Sequence, residues 1–254
     1  MSVQRALERR STAKALAKSV LASVGILKTA SRIKWQFKRG FGYHDKLLAS
    51  SYLSTAKVAK LHIGCGNNVL AGWLNADYFP YREDILHLDA TKPFCLLQDN
   101  SFEFVFSEHM IEHICYFDAV SMLRECHRVL RNGGRIRIST PDLIFLVNLM
   151  RDEKSDLQKN YIKWSAITNA SKVPHAVDTF VINNFVRDWG HQFIYDEKTL
   201  RAALEEAGFR NVIRCNLQSS NSEHLCNLEN EQRMPEKFLR LETLTIEGTK
   251  GRER

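Results

Sequence analysis

Apolar positions near the start of the chain recur at helical spacing, with Leu16, Val20, Leu21, Val24 and Leu27 interleaved with Lys14, Lys18 and Lys28. That pattern predicts an amphipathic helix. From residue 58 the texture changes to short apolar runs separated by helical patterns, as in an α/β sheet wrapped by helices. The runs predict strands near 59–63, 73–76, 84–88, 102–107 and 134–139. Phe117 to Arg131 carries apolar residues at 119, 123, 126 and 130, which predicts a helix with Asp118 as N-cap and Asn132-Gly133-Gly134 as its stop. A second helix is predicted from Asp196 to Ala207, with Leu200, Ala203, Leu204 and Ala207 on one face. Gly208 ends it, and a strand follows from Asn211 to Cys215. Residues 141–195, with Trp164 and Trp189, read as a long, largely helical insertion at a strand's carboxyl end, where lids and substrate walls are found.

Composition narrows the class. A chain of 254 residues, 44% apolar and 26% charged, has enough core for one large or two small domains, which excludes collagen, extended disorder and a disulfide-stapled miniprotein. The six cysteines form no CxxC pair, so a reducing cytoplasm is the expected compartment. No run approaches the roughly 18 apolar residues of a spanning helix, and the run Val20 to Leu27 lacks the flanks of a secretory signal. Residues 1–40 hold ten Lys or Arg against one Glu, a net of +9, so the rest of the chain carries −2 of the total +7. The basic balance therefore belongs to a helical arm over 1–50, attached to a near-neutral body over 51–254. Such an arm suits peripheral contact with an anionic membrane, or simply a solvated surface helix. Nucleic acid is not expected, because no aromatic platform accompanies the charge.

The first strand runs into Leu61-His-Ile-Gly64-Cys65-Gly66, and glycines at that spacing let the backbone turn tightly and approach a ligand. The second strand ends in Asp77 and the third in Asp89. Acids at successive carboxyl ends collect at the crevice where open parallel sheets bind ligands. One carboxylate can accept from ribose hydroxyls and the other from an adenine amino group. The third glycine of GxGxxG would fall at Val69, so a nucleoside without a diphosphate suits the loop better than NAD.

The succession LHIGCG, GWLNAD, HLDA, SFEFVFSEHMIEHI, LRECHRVLRNGGRIRISTPDL and HQFIYDEKTLRAALEEAGF resembles the class I S-adenosylmethionine-dependent methyltransferases, over about residues 58–216. Within them it is similar to a bacterial branch of small methyltransferase-domain proteins with an abbreviated first crossover. The resemblance implies a Rossmann-like, seven-stranded, mostly parallel sheet with helices on both faces. It implies a donor bound across Gly64, Cys65, Gly66, Asp77, Asp89, Ser107 and Glu108, with Asp77 on the ribose and Asp89 near the adenine. Ten residues separate Gly66 from Asp77, against about twenty in the usual pattern.

His109, Glu112 and His113 fall at i, i+3 and i+4, on one face if the segment is helical. The spacing also matches H-x-x-E-H of inverted metallopeptidases, so a metal-dependent hydrolase is one alternative. In the methyltransferase reading the cluster follows strand four and faces the donor. It resembles the ExxEH segment with which some RNA ribose methyltransferases hold a cation together with a later histidine, here His191. A divalent metal is thus a second reading, after that of histidines shaping an acceptor pocket. His109, His113 and His191 are the candidate bases, and Asp142 either orients or acts as base, or caps the next helix. Tyr195 is a candidate pocket or core residue. The expected reaction is methyl transfer to an oxygen or nitrogen of a small molecule or glycan. A catalytically silent nucleoside-binding module is the remaining alternative.

Overall fold

The computed structural model describes residues 42–168 and 175–251. The chain divides into two units after residue 48. Of the first, residues 42–48 are described, and they begin helix α1 (Tyr43–Thr55). The basic segment up to residue 41, with the amphipathic pattern over 16–27, lies outside the described residues. Among the described residues no helix is long and apolar enough to cross a membrane.

The second unit is built on seven strands: β1 (Lys60–Ile63), β2 (Leu74–Asp77), β3 (Leu86–His87), β4 (Phe102–Glu108), β5 (Leu130–Pro141), β6 (Phe209–Cys215) and β7 (Thr243–Lys250). They lie in the order β3-β2-β1-β4-β5-β7-β6. β3 to β5 are parallel, and β7 runs antiparallel to both its neighbours. This is the Rossmann-like, mostly parallel sheet that the resemblance implies. Leu61, Ile63, Val105, Phe106, Ile136 and Ile138 are all essentially without exposed surface, so the inner strands carry the core of the sheet.

Helix α2 (Tyr116–Val129) buries Ala119, Leu123 and Cys126, as its spacing predicts. Its ends differ from expectation. Cys115, extended at ψ 158°, occupies the N-cap, and Asp118 sits in the first turn accepting from the Cys115 thiol at 3.2 Å. At the other end Leu130 is already extended, so Asn132-Gly133-Gly134 belongs to an irregular start of β5 rather than to a helix stop. Gly133 has φ +83°, and a Cβ on Gly134 would fall 2.8 Å from the Arg131 carbonyl oxygen. The bend needs both glycines. β3 is trimmed to two residues from the expected 84–88.

The insertion holds α3 (Leu143–Leu149), α4 (Asp156–Thr168) and α5 (Asp178–Arg187) around Phe145, Leu149, Tyr161 and Phe185. Residues 169–174 within it lie outside the described residues. Helix α6 (Glu197–Glu206) has Asp196 as N-cap, accepting from the Thr199 amide at 2.8 Å, and Gly208 follows it at φ +102°. Helix α7 (Glu236–Glu242) leads into β7.

His62 shows how polar groups are managed inside this sheet. It is 1% exposed on β1, and its Nδ1 donates to Asn75 Oδ1 at 3.1 Å, an oxygen that also accepts from the Leu70 amide. Burial pushes its pKa down from 6.5 to about 4. The unfolded chain therefore binds this proton first, and the contribution of neutral His62 is complete above pH 6.5 and lost as pH falls toward 4. The loss is worth about 3 kcal/mol at 1.4 kcal/mol per unit. Urea denaturation between pH 4 and 7 checks this: His62→Leu flattens the pH dependence relative to the wild type, and parallel curves would reject it.

Candidate active site

β1 ends at Ile63 and the chain turns at Gly64 (φ +70°) and Gly66 (φ +47°). The Gly64 and Cys65 amides both donate to the Ala76 carbonyl, at 2.9 and 3.0 Å. This folds the turn onto β2 without any intervening helix. The short crossover brings Asp77 directly against the turn: Oδ2 accepts from the Gly66 amide at 2.9 Å and Oδ1 from the Phe79 amide at 2.8 Å. A Cβ on Gly64 would lie 2.4 Å from Met110 Cγ, whereas one on Gly66 meets nothing within 4 Å. Gly64 is bare so that Met110 can pack on it; Gly66 is bare beside open space. Asp89 Oδ1 accepts from the Thr91 amide and hydroxyl, at 3.0 and 2.7 Å.

These residues wall a cavity of about 630 Å³, which Gly64, Gly66, Asp77, Phe79 and Asp89 line on one side and His109 and His113 on another. Cys65, Ser107 and Glu108, expected with them, lie outside its lining. The Cys65 side chain is buried and its thiol is pushed up to about 12, first by burial. Ser107 is buried, and its hydroxyl has no hydrogen-bond partner among the described residues. Glu108 faces the other way, accepting from Asn68 Nδ2 at 3.2 Å and from the Asn230 amide at 2.9 Å, and burial raises its pKa.

Beyond β4 the chain does not enter an α-helix. His109 takes φ +46°, the left-handed region that few residues other than glycine adopt, and its amide donates to the Ser139 carbonyl at 2.8 Å. A single 3₁₀ turn, Ile111–His113, follows. The expected shared helical face is therefore replaced by a kink and a tight turn, and these still bring His109, Glu112 and His113 to one wall. That wall belongs to a second cavity, of about 280 Å³, which also meets Tyr161, Trp164, Phe185, Trp189, His191 and Glu242. His109 and His113 line both cavities.

His191 arrives from the far end of the insertion. Trp189 (φ +57°) and Gly190 (φ +78°) reverse the chain, the Gln192 and Phe193 amides bond to the Glu112 carbonyl at 2.7 and 3.2 Å, and Gln192 Nε2 donates to the His113 carbonyl at 2.9 Å. The rings of His113 and His191 then meet with centroids 4.8 Å apart. Burial lowers the pKa of His191. Glu112 is 0% exposed; burial pushes its pKa up, but the contact and charge of His109 outweigh this and hold it below the ordinary value.

Asp142 does not reach either cavity. Its Oδ1 caps α3 through the Ile144 amide at 2.9 Å and its Oδ2 pairs with Arg214 at 3.0 Å, so both oxygens have structural partners and the capping alternative holds. Tyr195 is a core residue with no exposed surface, packed by Phe193 and Tyr116. Sequence reasoning missed Tyr161, Phe185 and Glu242. Glu242 is buried, bonded to the Tyr161 hydroxyl, and burial raises its pKa against the opposing pull of His109 and that bond.

Residues 80–138 match the model of a family described as a methyltransferase domain. Among curated proteins none matches the chain. Among solved structures it is similar to an S-adenosylmethionine-dependent methyltransferase from Archaeoglobus fulgidus, at 16% identity and TM-score 0.46, over 85% of this chain and 99% of that one. A methyltransferase from Thermotoga maritima is similar at 16% and 0.40, over 87% and 96%. Phosphoethanolamine N-methyltransferase 2 of Haemonchus contortus is similar at 13% and 0.41, over 91% and 59%.

Strand order, glycine turn and strand-end acids define an α/β protein with an open cavity at the carboxyl edge of its sheet, where such sheets bind ligands. The methyltransferase-domain match over residues 80–138 lies on that sheet, and S-adenosylmethionine is the cofactor that such a domain implies. The residues fit this cofactor: Asp77 keeps lone pairs beyond its two amide bonds, Gly66 faces open space, and the cavity is of a size typical for small-molecule sites, about 300–1,000 Å³. S-adenosylmethionine supplies a methyl group activated on a sulfonium.

Proposed function

We propose that the enzyme methylates an oxygen or nitrogen of a small molecule or glycan held in the inner cavity. The observation that carries this is the wall shared by the two cavities, where His109 and His113 stand between the nucleoside side and the aromatic side. Displacement at a methyl group is in line, so most of the rate comes from positioning. Tyr161, Trp164, Phe185 and Trp189 offer ring faces on which an acceptor or a sugar can stack, and Glu112 and Glu242 offer carboxylates to its hydroxyl or amino groups. His109 takes the proton the acceptor loses. Its Nδ1 faces Glu112 Oε1 at 3.4 Å, which favours the proton on that nitrogen and leaves Nε2, buried and without a partner among the described residues, as the base. A hydrolase centred on the same histidines would leave the larger cavity and its two acids without a role. The reading includes a cytoplasmic enzyme whose basic arm touches an anionic membrane surface, supported by the charge of residues 1–40.

Comparison of the metabolites of a deletion strain and its parent tests the acceptor. The deletion strain accumulates a hydroxyl or amino compound lighter by one methyl group, which the purified protein converts with release of S-adenosylhomocysteine. His109→Gln keeps S-adenosylhomocysteine binding and loses turnover by roughly 10²–10⁴-fold. A methylated carbon, or full turnover in that variant, would overturn the proposal.

A further inference from the structure

Glu112 poses a problem that the acceptor reading does not solve. It is a fully buried carboxylate whose Oε2 accepts from the Thr140 hydroxyl at 3.0 Å, while Oε1 has only the His109 Nδ1 near it, at 3.4 Å and without hydrogen-bond geometry. A buried anionic oxygen with so weak a partner is costly and demands an account. Around it stand imidazoles. Ligand atoms of Glu112, His113 and His191 all lie within 4.8 Å of one another. His191 Nδ1 sits 2.7 Å from the Phe185 carbonyl, which can only accept, so Nδ1 carries the proton and Nε2 keeps a lone pair. Both groups thus have the outer partner that orients a metal ligand: a hydroxyl on the carboxylate, and a carbonyl on the imidazole.

We infer that Glu112, His113 and His191 form a site for a divalent transition-metal ion. Two nitrogens and one oxygen suit zinc, manganese or iron(II), and a three-residue set leaves a coordination position open. Bonds of about 2.0–2.2 Å need ligand atoms somewhat closer than the widest separation here, a contraction within reach of side-chain rotation. Two backbone bonds from Gln192 and Phe193 to the Glu112 carbonyl hold the ligand-bearing segments together without blocking the carboxylate. All three residues line the inner cavity, from which an acceptor would reach an ion held there. The role of the ion rests on the methyltransferase reading: a hydroxyl coordinated there becomes more acidic and is fixed beside His109. The existence of the site does not rest on that reading.

The test uses the full chain, purified without a histidine tag, stripped by chelator and titrated with zinc alone, with bound metal counted by elemental analysis. S-adenosylhomocysteine binding is measured in parallel. The wild type is expected to bind one zinc per chain, and Glu112→Gln and His191→Ala to weaken it at least tenfold while still binding S-adenosylhomocysteine, which shows that they are folded. Cobalt(II) in the same site should give a visible spectrum without a thiolate charge-transfer band, separating it from the free cysteines. Less than a tenth of an equivalent of zinc on wild-type protein that binds S-adenosylhomocysteine overturns the inference, as does undiminished zinc in both variants. Zinc bound as described by protein that ignores S-adenosylhomocysteine would leave the site standing and remove the donor reading instead.

Discussion

Asp77→Ala is expected to weaken S-adenosylhomocysteine binding by at least about 100-fold in calorimetric titration, with the protein still folded. The carboxylate acts twice. It ties the Gly66 and Phe79 amides, holding the glycine turn and the following aromatic residue in place, and it presents its remaining lone pairs to the cavity. Hydrogen bonds to a charged group are each worth about 1.5–3 kcal/mol, and each 1.4 kcal/mol is tenfold in affinity, so losing two is enough for the stated effect. Asp77→Asn, which keeps one acceptor oxygen and introduces a donor against an amide, should fall between the two. A dissociation constant unchanged in Asp77→Ala would mean that the nucleoside lies elsewhere, whatever the sheet resembles.

The glycine turn and the strand-end acids were legible because they depend on local rules. A glycine turn after a strand, and an acid closing each of the next two strands, can be read without knowing any contact. Asp77 and Asp89 accordingly fall on the cavity wall. Ser107 and Glu108 do not: Ser107 is buried within the sheet, and Glu108 is turned to Asn68 and the Asn230 amide, partners set by tertiary packing. The helix faces of α2 and α6 were legible from periodicity, yet the cap of α2 was not. Asp118 has the right chemistry, but the chain is still extended at Cys115 and turns there, three residues earlier. The histidine cluster was found by spacing, although the kink at His109, and not a helix, brings it together. Glu242 gave no signal, because only tertiary packing sets it against Tyr161, 81 residues away in sequence.

Arg137 was read only as part of a strand, and replacing it should have the largest effect on stability. It lies on β5 with no exposed surface, its Nε 2.6 Å from Glu229 Oε1 and its Nη1 2.7 Å from Glu247 Oε1. Arg135 also pairs with Glu247, but from a partly exposed position. Arg137→Met removes the central cation from two buried carboxylates, Glu229 in the loop ahead of α7 and Glu247 on β7, and leaves Glu229 with no cationic partner. Breaking such a network costs about 3–5 kcal/mol, because the orphaned charges stay behind, whereas replacing all members together can be nearly neutral. For a domain of this size that is a fall in melting temperature of roughly 10 °C or more. Arg137→Met with Glu229→Gln and Glu247→Gln should recover most of it in calorimetry, and a triple variant as unstable as the single one would place the cost in packing rather than charge. The network also reaches the active site. Glu229 accepts from the Ser139 hydroxyl at 2.8 Å, the Ser139 carbonyl holds the His109 amide, and Thr140 holds Glu112. The ion network therefore anchors the strand end that fixes the strained histidine and the buried glutamate, and loosening it should weaken the site before the sheet unfolds.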